Sequence, residues 1–274
     1  MTNRIQIAVV TGGGHGIGRA ICRRLSHDGV RVVVADLEAE AASTVATAIN
    51  GVAQVIDVSD EVAVRALVDN TERDIGPIDL FVSNAGVGHG DADGNAASKE
   101  GGMNPVDDRW EQCWNINVMA HVYAARALLP RMIERGGGYL VNIASAAGLL
   151  SQIGDAAYSA SKHAAVAFAE SLAITHGEQG IRVSVVCPQA VATRMIGIED
   201  DAEISDGGFG GNDVDGILAP DEVAECIIDG IEAGRFMILP HPQVATYLQR
   251  KSSDYDRWIA GMQRFRRQLM GDEG

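Results

Sequence analysis

The feature that most limits the fold of this chain is an alternation. Seven short runs rich in Val, Ile and Leu are separated by longer stretches with helical spacing. The runs cover residues 5–10, 31–36, 52–57, 79–83, 139–144, 182–187 and 236–239. Most are apolar at both sets of alternating positions, as a strand covered on both faces must be. Between them, sets such as Ile17, Ala20, Ile21 and Leu25 repeat at helical intervals. A strand that returns parallel to its predecessor needs a crossover of that length. The alternation therefore predicts an α/β chain built on a doubly wound, mostly parallel seven-stranded sheet. No Pro-, Gly- or Ser-rich linker divides the 274 residues, so 1–274 reads as a single domain.

Two stretches break the rhythm. Residues 88–105 are Gly-rich and polar, and residues 197–218 are acidic and Gly-rich. Both follow strand ends, where open α/β sheets bind ligands. Either could be a plain surface insertion; the second is read as a substrate lid, because long loops in compact domains are usually functional or disordered. A C-terminal extension, 243–274, holds Arg257, Arg264, Arg266 and Arg267 among aromatics. Its basic residues suit a solvated helix face or a subunit contact. The segment is expected to be ordered, extending an interface or covering a neighbouring site.

Charge narrows the partners. Lys and Arg number 22 against 37 Asp and Glu, a net −15 that repels nucleic acid and anionic membranes. Neither is expected to bind. The longest apolar runs fall short of the roughly 18 residues of a membrane span, and the first residues lack the pattern of a secretory signal. Cys22, Cys113, Cys187 and Cys226 form no Cys-x-x-Cys pair and have no His at metal spacing. Reduced structural thiols, a cytoplasmic location and no bound metal are the expectations.

The first run ends in Thr11-Gly12-Gly13-Gly14-His15-Gly16-Ile17-Gly18 and a helical stretch follows. Glycines let the backbone approach a pyrophosphate, and a helix start offers free N–H groups to it. Asp36 closes the second run, 18 residues beyond Gly18. An acid there can accept from a ribose hydroxyl and repel a 2′-phosphate, which favours NAD over NADP. Asp36 also suits a turn or a helix cap, and His15 could itself meet a phosphate.

Tyr158 and Lys162 lie four apart in an apolar helical stretch and so share a face. A phenol is a poor acid–base group at neutral pH, and a nearby ammonium would lower its pKa. Such a phenol can exchange a proton with a substrate oxygen as hydride moves at the adjacent carbon. Ser145 ends the run at 139–144, where its hydroxyl could bond a carbonyl oxygen or cap a helix.

These motifs stand in the order and at the spacing of one family. Thr11-Gly12-x-x-x-Gly16-x-Gly18, Asn84-Ala85-Gly86, Asn117, Ser145 and Tyr158-x-x-x-Lys162 together resemble a classical short-chain dehydrogenase/reductase over nearly the whole chain. The resemblance implies a Rossmann-type fold and hydride transfer between a nicotinamide cofactor and an alcohol or ketone, with Tyr158 as acid–base. It implies that Asn117 holds a water extending a proton relay from Lys162, and that Lys162 also binds the nicotinamide ribose. Gly12, Gly16, Ile17, Gly18, Asp36 and Leu37 would hold the phosphates and adenosine ribose, with Asp57 and Val58 beside the adenine. Asn84, Ala85 and Gly86 would line the cofactor, and Pro188, Val191 and Thr193 would meet its nicotinamide end near Tyr158 and Lys162. A homotetramer or homodimer is implied, built on the helices at 107–135 and 155–180.

Three positions depart from the pattern: Gln189 follows Pro188 in place of glycine, Ser83 precedes Asn84 where asparagine is frequent, and Ala120 stands where glycine is common. None removes a group that the chemistry needs. The substrate walls are expected at 88–94, 146–155 and 195–216. Leu149, Leu150, Ile153, Met195 and Ile196 suggest an uncharged, apolar alcohol or ketone, with His89 and Gln152 as possible polar contacts or solvent-facing residues. Arg194 is the best-placed arginine for a carboxylate and is not assigned to one. Two other classes remain open: an idle NAD(H)-binding regulator, which would not need the quartet of Asn117, Ser145, Tyr158 and Lys162, and a lyase or dehalogenase variant, which Lys162 and the intact glycine loop disfavour.

Overall fold

The computed structural model describes residues 5–90, 109–202 and 215–270. Strands β1 (Ile7–Thr11), β2 (Arg31–Asp36), β3 (Val52–Val55), β4 (Leu80–Ser83), β5 (Gly138–Ile143), β6 (Ile181–Val186) and β7 (Met237–Ile238) form one sheet in the order β3-β2-β1-β4-β5-β6-β7. Every pairing is parallel, including those of the edge strands. The strand order reverses between β1 and β4, which opens a crevice at their C-terminal ends.

The helices are α1 (Gly16–His27), α2 (Ala39–Ala48), α3 (Glu61–Asp74), α4 (Arg109–Trp114), α5 (Ala120–Glu134), α6 (Ala147–Leu150), α7 (Ala156–His176), α8 (Pro220–Glu232), α9 (Gln243–Ser253) and α10 (Tyr255–Met270). Strand alternation sends neighbouring side chains to opposite faces. Val9, Val33, Phe81 and Leu140 enter one core with Leu67, Leu128 and Val166 of α3, α5 and α7. Val10, Val34, Leu80 and Val141 enter the other with Ile21, Val45 and Ile227 of α1, α2 and α8. Each such buried side chain contributes roughly 1.5–3 kcal/mol. The Asp79 carboxylate accepts from the N–H groups of Gln6 and Ile7 at 2.8 and 3.0 Å, fixing the entry of β1 beside β4.

Two expectations need adjusting. The doubly wound seven-stranded sheet is as expected and wholly parallel; its first and last strands, however, are shorter than the apolar runs that announce them, because pairing partners end before the apolar residues do. The helix expected over 107–135 is described from Arg109 and runs without a break to Glu134, with a π-helical turn, Asn115–Met119, between α4 and α5 that carries Asn117. Such wide turns bring a helical residue out of regular phase and often mark functional sites. Residues 91–108 of the expected loop, and 203–214 of the expected lid, lie outside the described residues.

Gly12 adopts a left-handed φ of +61°, and a Cβ there would press on the backbone of Ala85 at 3.0 Å. A Cβ on Gly18 would overlap the Gly12 carbonyl oxygen. Gly18 thus lets α1 close onto the loop that precedes it. Gly18→Ala is expected to destabilise the protein by about 2 kcal/mol through overpacking and to weaken NADH binding. Urea unfolding with an NADH titration checks this; wild-type stability would show that the loop relaxes freely.

Candidate active site

A cleft of about 1030 Å³ runs along the C-terminal ends of the strands. It is lined by Gly12, His15, Gly16 and Ile17 after β1, by Asp36 and Leu37 at and after the end of β2, by Asp57 and Val58 after β3, and by Asn84, Ala85 and Gly86 after β4. Ser145, Tyr158 and Lys162 line the same cleft, with Pro188, Val191 and Thr193 after β6. Two expected residues stand behind its wall. Gly18 packs against the loop, as above. Asn117 is fully buried and uses its side-chain amide to accept from the Val87 N–H at 2.9 Å and to donate to the Val87 carbonyl and the Ser161 hydroxyl at 2.9 and 3.0 Å. It ties the segment after β4 to α7.

The loop suits an anion, and one already rests there. The Gly16 N–H at the start of α1 donates to Asp200 at 2.9 Å, and the His15 ring meets the same carboxylate at 2.6 Å. Burial by itself would raise the Asp200 pKa; the Gly16 N–H and His15 outweigh it and hold the carboxyl below its ordinary range. Asp201 pairs with Arg19 at 2.8 Å and Glu199 with Arg194 at 2.9 Å. The described start of the expected lid therefore lies on the phosphate loop. With glycine at every point where the backbone must come close, the residues fit a dinucleotide.

Asp36 accepts from the Gly14 N–H at 2.8 Å and the Glu38 N–H at 3.0 Å, so it shapes the turn that presents it. Asn84 donates to the carbonyls of Thr11 and Gly12 at 3.0 and 3.1 Å, joining β1 and β4 across the crevice. Gln189 keeps the backbone in place by donating its N–H to His241 Nδ1 at 3.1 Å.

Tyr158 and Lys162 project from α7 into the cleft, with Lys162 Nζ 5.5 Å from the centre of the phenol ring. The ammonium is buried and donates to the Ile143 carbonyl at 3.0 Å. The Ser145 hydroxyl donates to the Pro188 carbonyl at 3.4 Å and caps the turn of α6 by accepting from the Ala147 N–H at 3.1 Å. For the protein alone, burial pushes the phenol up to about 12; the Ser145 hydroxyl opposes this and the Asp155 charge adds to it. The expected lowering by Lys162 is thus reversed, because desolvation of the phenolate is the larger effect. Burial lowers Lys162 itself to about 8.

Asp155 is the principal site residue that the sequence motifs do not flag. One of its oxygens caps α7 by accepting from the Tyr158 N–H at 3.0 Å; the other accepts from the N–H groups of His89 and Gly90 at 3.0 and 2.9 Å. An acid three residues before Tyr158, at a helix start, was the available signal. Nothing in the sequence pairs Asp200 with His15, which it follows by 185 residues.

This geometry defines a dinucleotide-binding fold with a phenol–ammonium pair at its switch point. The chain belongs to the short chain dehydrogenase family, whose model matches residues 6–203. It is 32% identical to 1-deoxy-11-beta-hydroxypentalenate dehydrogenase of Streptomyces exfoliatus over 92% of this chain and 89% of that protein. It is 35% identical to meso-2,3-butanediol dehydrogenase of Serratia marcescens over 69% of this chain and 73% of that one. A short chain dehydrogenase/reductase from Burkholderia phymatum, solved in complex with NAD, matches with a TM-score of 0.79 at 26% identity, covering 93% of this chain and 96% of that one. The protein is a nicotinamide-dependent oxidoreductase of alcohols and ketones.

Lys162 has a folded pKa of about 8 against an ordinary 10.5, so between those values the unfolded chain holds the extra proton and stability rises with pH. Below pH 8 the whole cost of the buried ammonium is present, roughly 3 kcal/mol. Lys162→Met relieves that cost but loses the bond to Ile143, worth about 1 kcal/mol. It is expected to stabilise the ligand-free protein by about 2 kcal/mol at pH 7, with the gain shrinking towards pH 10, while turnover is lost. Urea unfolding at both pH values measures this; a destabilised variant at pH 7 would contradict the buried-cation account.

Proposed function

We propose that this protein is an NAD-preferring dehydrogenase or reductase of apolar alcohols and ketones. Its single strongest support is that Ser145, Tyr158 and Lys162 share one cleft wall with the Gly12–Ile17 phosphate loop. Bound there, the nicotinamide would supply or accept the hydride. The chain's own groups do the rest. Tyr158 gives a proton to the substrate oxygen in reduction and takes it in oxidation. Ser145 donates to the same oxygen, steadying its growing negative charge. Lys162 favours the phenolate and binds the ribose, and Asn117 positions the segment that faces it and orders the water of the relay. Gly12, Gly16 and Ile17 cradle the phosphates, with Gly18 letting α1 approach. Asp57 and Val58 border the adenine, Asn84 to Gly86 line the cofactor, and Pro188, Val191 and Thr193 place the nicotinamide.

The preference for NAD rests on Asp36 and its company. The basic side chains beside this position already have acidic partners: His15 meets Glu38 at 3.2 Å and Asp200, and Arg194 meets Glu199 and, at 3.7 Å, Glu38. Apolar substrate walls come from Leu150, Ile153, Met195 and Ile196. The named relatives act on alcohols as different as a butanediol and a hydroxypentalenate, so they indicate the reacting group and leave the body of the molecule open. Exposed Trp110, Trp114 and Ile174 on α4 and α7 favour a homo-oligomer, a tetramer in the family's manner. Four free cysteines suit a cytoplasmic protein. Residues 197–218 serve as a substrate lid.

Tyr158→Phe is expected to lower turnover of a ketone panel with NADH by at least about a thousandfold, with NADH affinity within a few-fold of wild type; near-normal turnover would overturn the assignment. Fluorescence titration is expected to find NADH bound more tightly than NADPH, and Asp36→Ala to narrow the gap. Tighter NADPH binding by the wild type would remove the case for NAD.

A further inference from the structure

The chemistry above occupies the inner part of the cleft, and α10 walls its outer part. Trp258, Met262, Phe265 and Leu269 fall at i, i+4, i+7 and i+11, a single apolar stripe, and all four line the cleft that contains Tyr158. Among the elements, α10 packs chiefly on α9, so the stripe has no sheet of its own to cover. The C-terminal segment therefore closes the chain's own cleft.

Helix α9 is firmly placed. Val244 is fully buried, Lys251 Nζ donates to the Leu149 carbonyl at 2.6 Å, and the Tyr247 hydroxyl donates to Asp215 at 2.9 Å. On this helix the exposed Arg250 lines the cleft, with its guanidinium 5.9 Å from the centre of the Tyr247 ring. Arg194 and Arg250 are the arginines that line the cleft among the described residues. Arg194 is spent on Glu199. Arg250 forms no ion pair with a described carboxylate, in a chain where acids outnumber bases by 37 to 22. Asp215, bonded at the hydroxyl edge of Tyr247, lines the same cleft.

We propose that the substrate is an apolar alcohol or ketone carrying a carboxylate at the end away from the reacting carbon, with the α10 stripe holding its hydrocarbon body and Arg250 reading its anion. The planar, permanently charged fork of an arginine suits a carboxylate better than a neutral polar group. This proposal rests on the oxidoreductase reading, so binding and turnover are measured separately.

Adamantane-1-carboxylate and its carboxamide serve as unreactive probes, followed by tryptophan fluorescence or calorimetry on the full-length protein. The carboxylate is expected to bind at least about tenfold more tightly than the amide. Arg250→Gln should abolish that difference and Arg250→Lys restore part of it, while Phe265→Ala weakens both probes alike. In turnover with NADH, a decalone carboxylic acid and its methyl ester are compared. Arg250→Gln should raise KM for the acid about tenfold more than for the ester, with kcat for the acid nearly kept. Equal binding of both probes by the wild type, or equal effects of Arg250→Gln on acid and ester, would overturn the proposal and leave the oxidoreductase reading intact. Selective carboxylate binding with no ketone reduced would support the site and overturn the activity instead.

Discussion

Seven parallel strands leave all their C-terminal ends on one edge, and everything this molecule does is gathered there. Each crossover helix carries the chain back to the opposite edge, so the segments free to form a site are those that leave the strands. The break in order between β1 and β4 then decides where a ligand can enter. Asn84 bridges that break through Thr11 and Gly12, and Lys162 closes it from the side by donating to the end of β5 at Ile143. Remove the common polarity of the strands and the phosphate loop, the serine and the phenol would no longer share a wall.

The site is kept at a cost in stability. An ammonium with one protein carbonyl as partner and a phenol desolvated beside it are groups that a core would reject. They persist because α7 is fixed at its start, where Asp155 caps it, and in its second turn, where Asn117 holds Ser161. The same acid that caps α7 makes the phenolate harder to form. Burial thus leaves the Tyr158 proton tightly held in the protein alone, which makes the phenol a weak acid there.

Much of this was legible in the chain. β-branched runs marked every strand, since strands covered on both faces need apolar residues at every position. The ends of β1 and β7 were not, because the ladder depends on a partner strand that the local residues do not describe. Tyr158 and Lys162 announced a shared helix face through spacing alone, and Ser145 and Asn117 gained meaning only from their company. Spacing shows the ammonium near Tyr158, whereas the burial that raises its pKa depends on α7 packing against α6 and β6. The π turn at Asn117 has no periodic signature. Nor does the contact of Asp200 with His15 and Gly16, made across most of the chain. The stripe on α10 could be read as amphipathic, but which surface it faces is a tertiary fact.

The central claim is that burial at the strand ends sets the proton chemistry of the Tyr158–Lys162 pair. The most direct measurement is the titration of Lys162 itself in the ligand-free protein, followed by heteronuclear NMR with carbon-labelled lysine and assigned by the Lys162→Met variant. A midpoint near pH 8 is the predicted result. A midpoint at the ordinary lysine value of 10.5 or above would mean that the ammonium is solvated or paired, and would contradict the account.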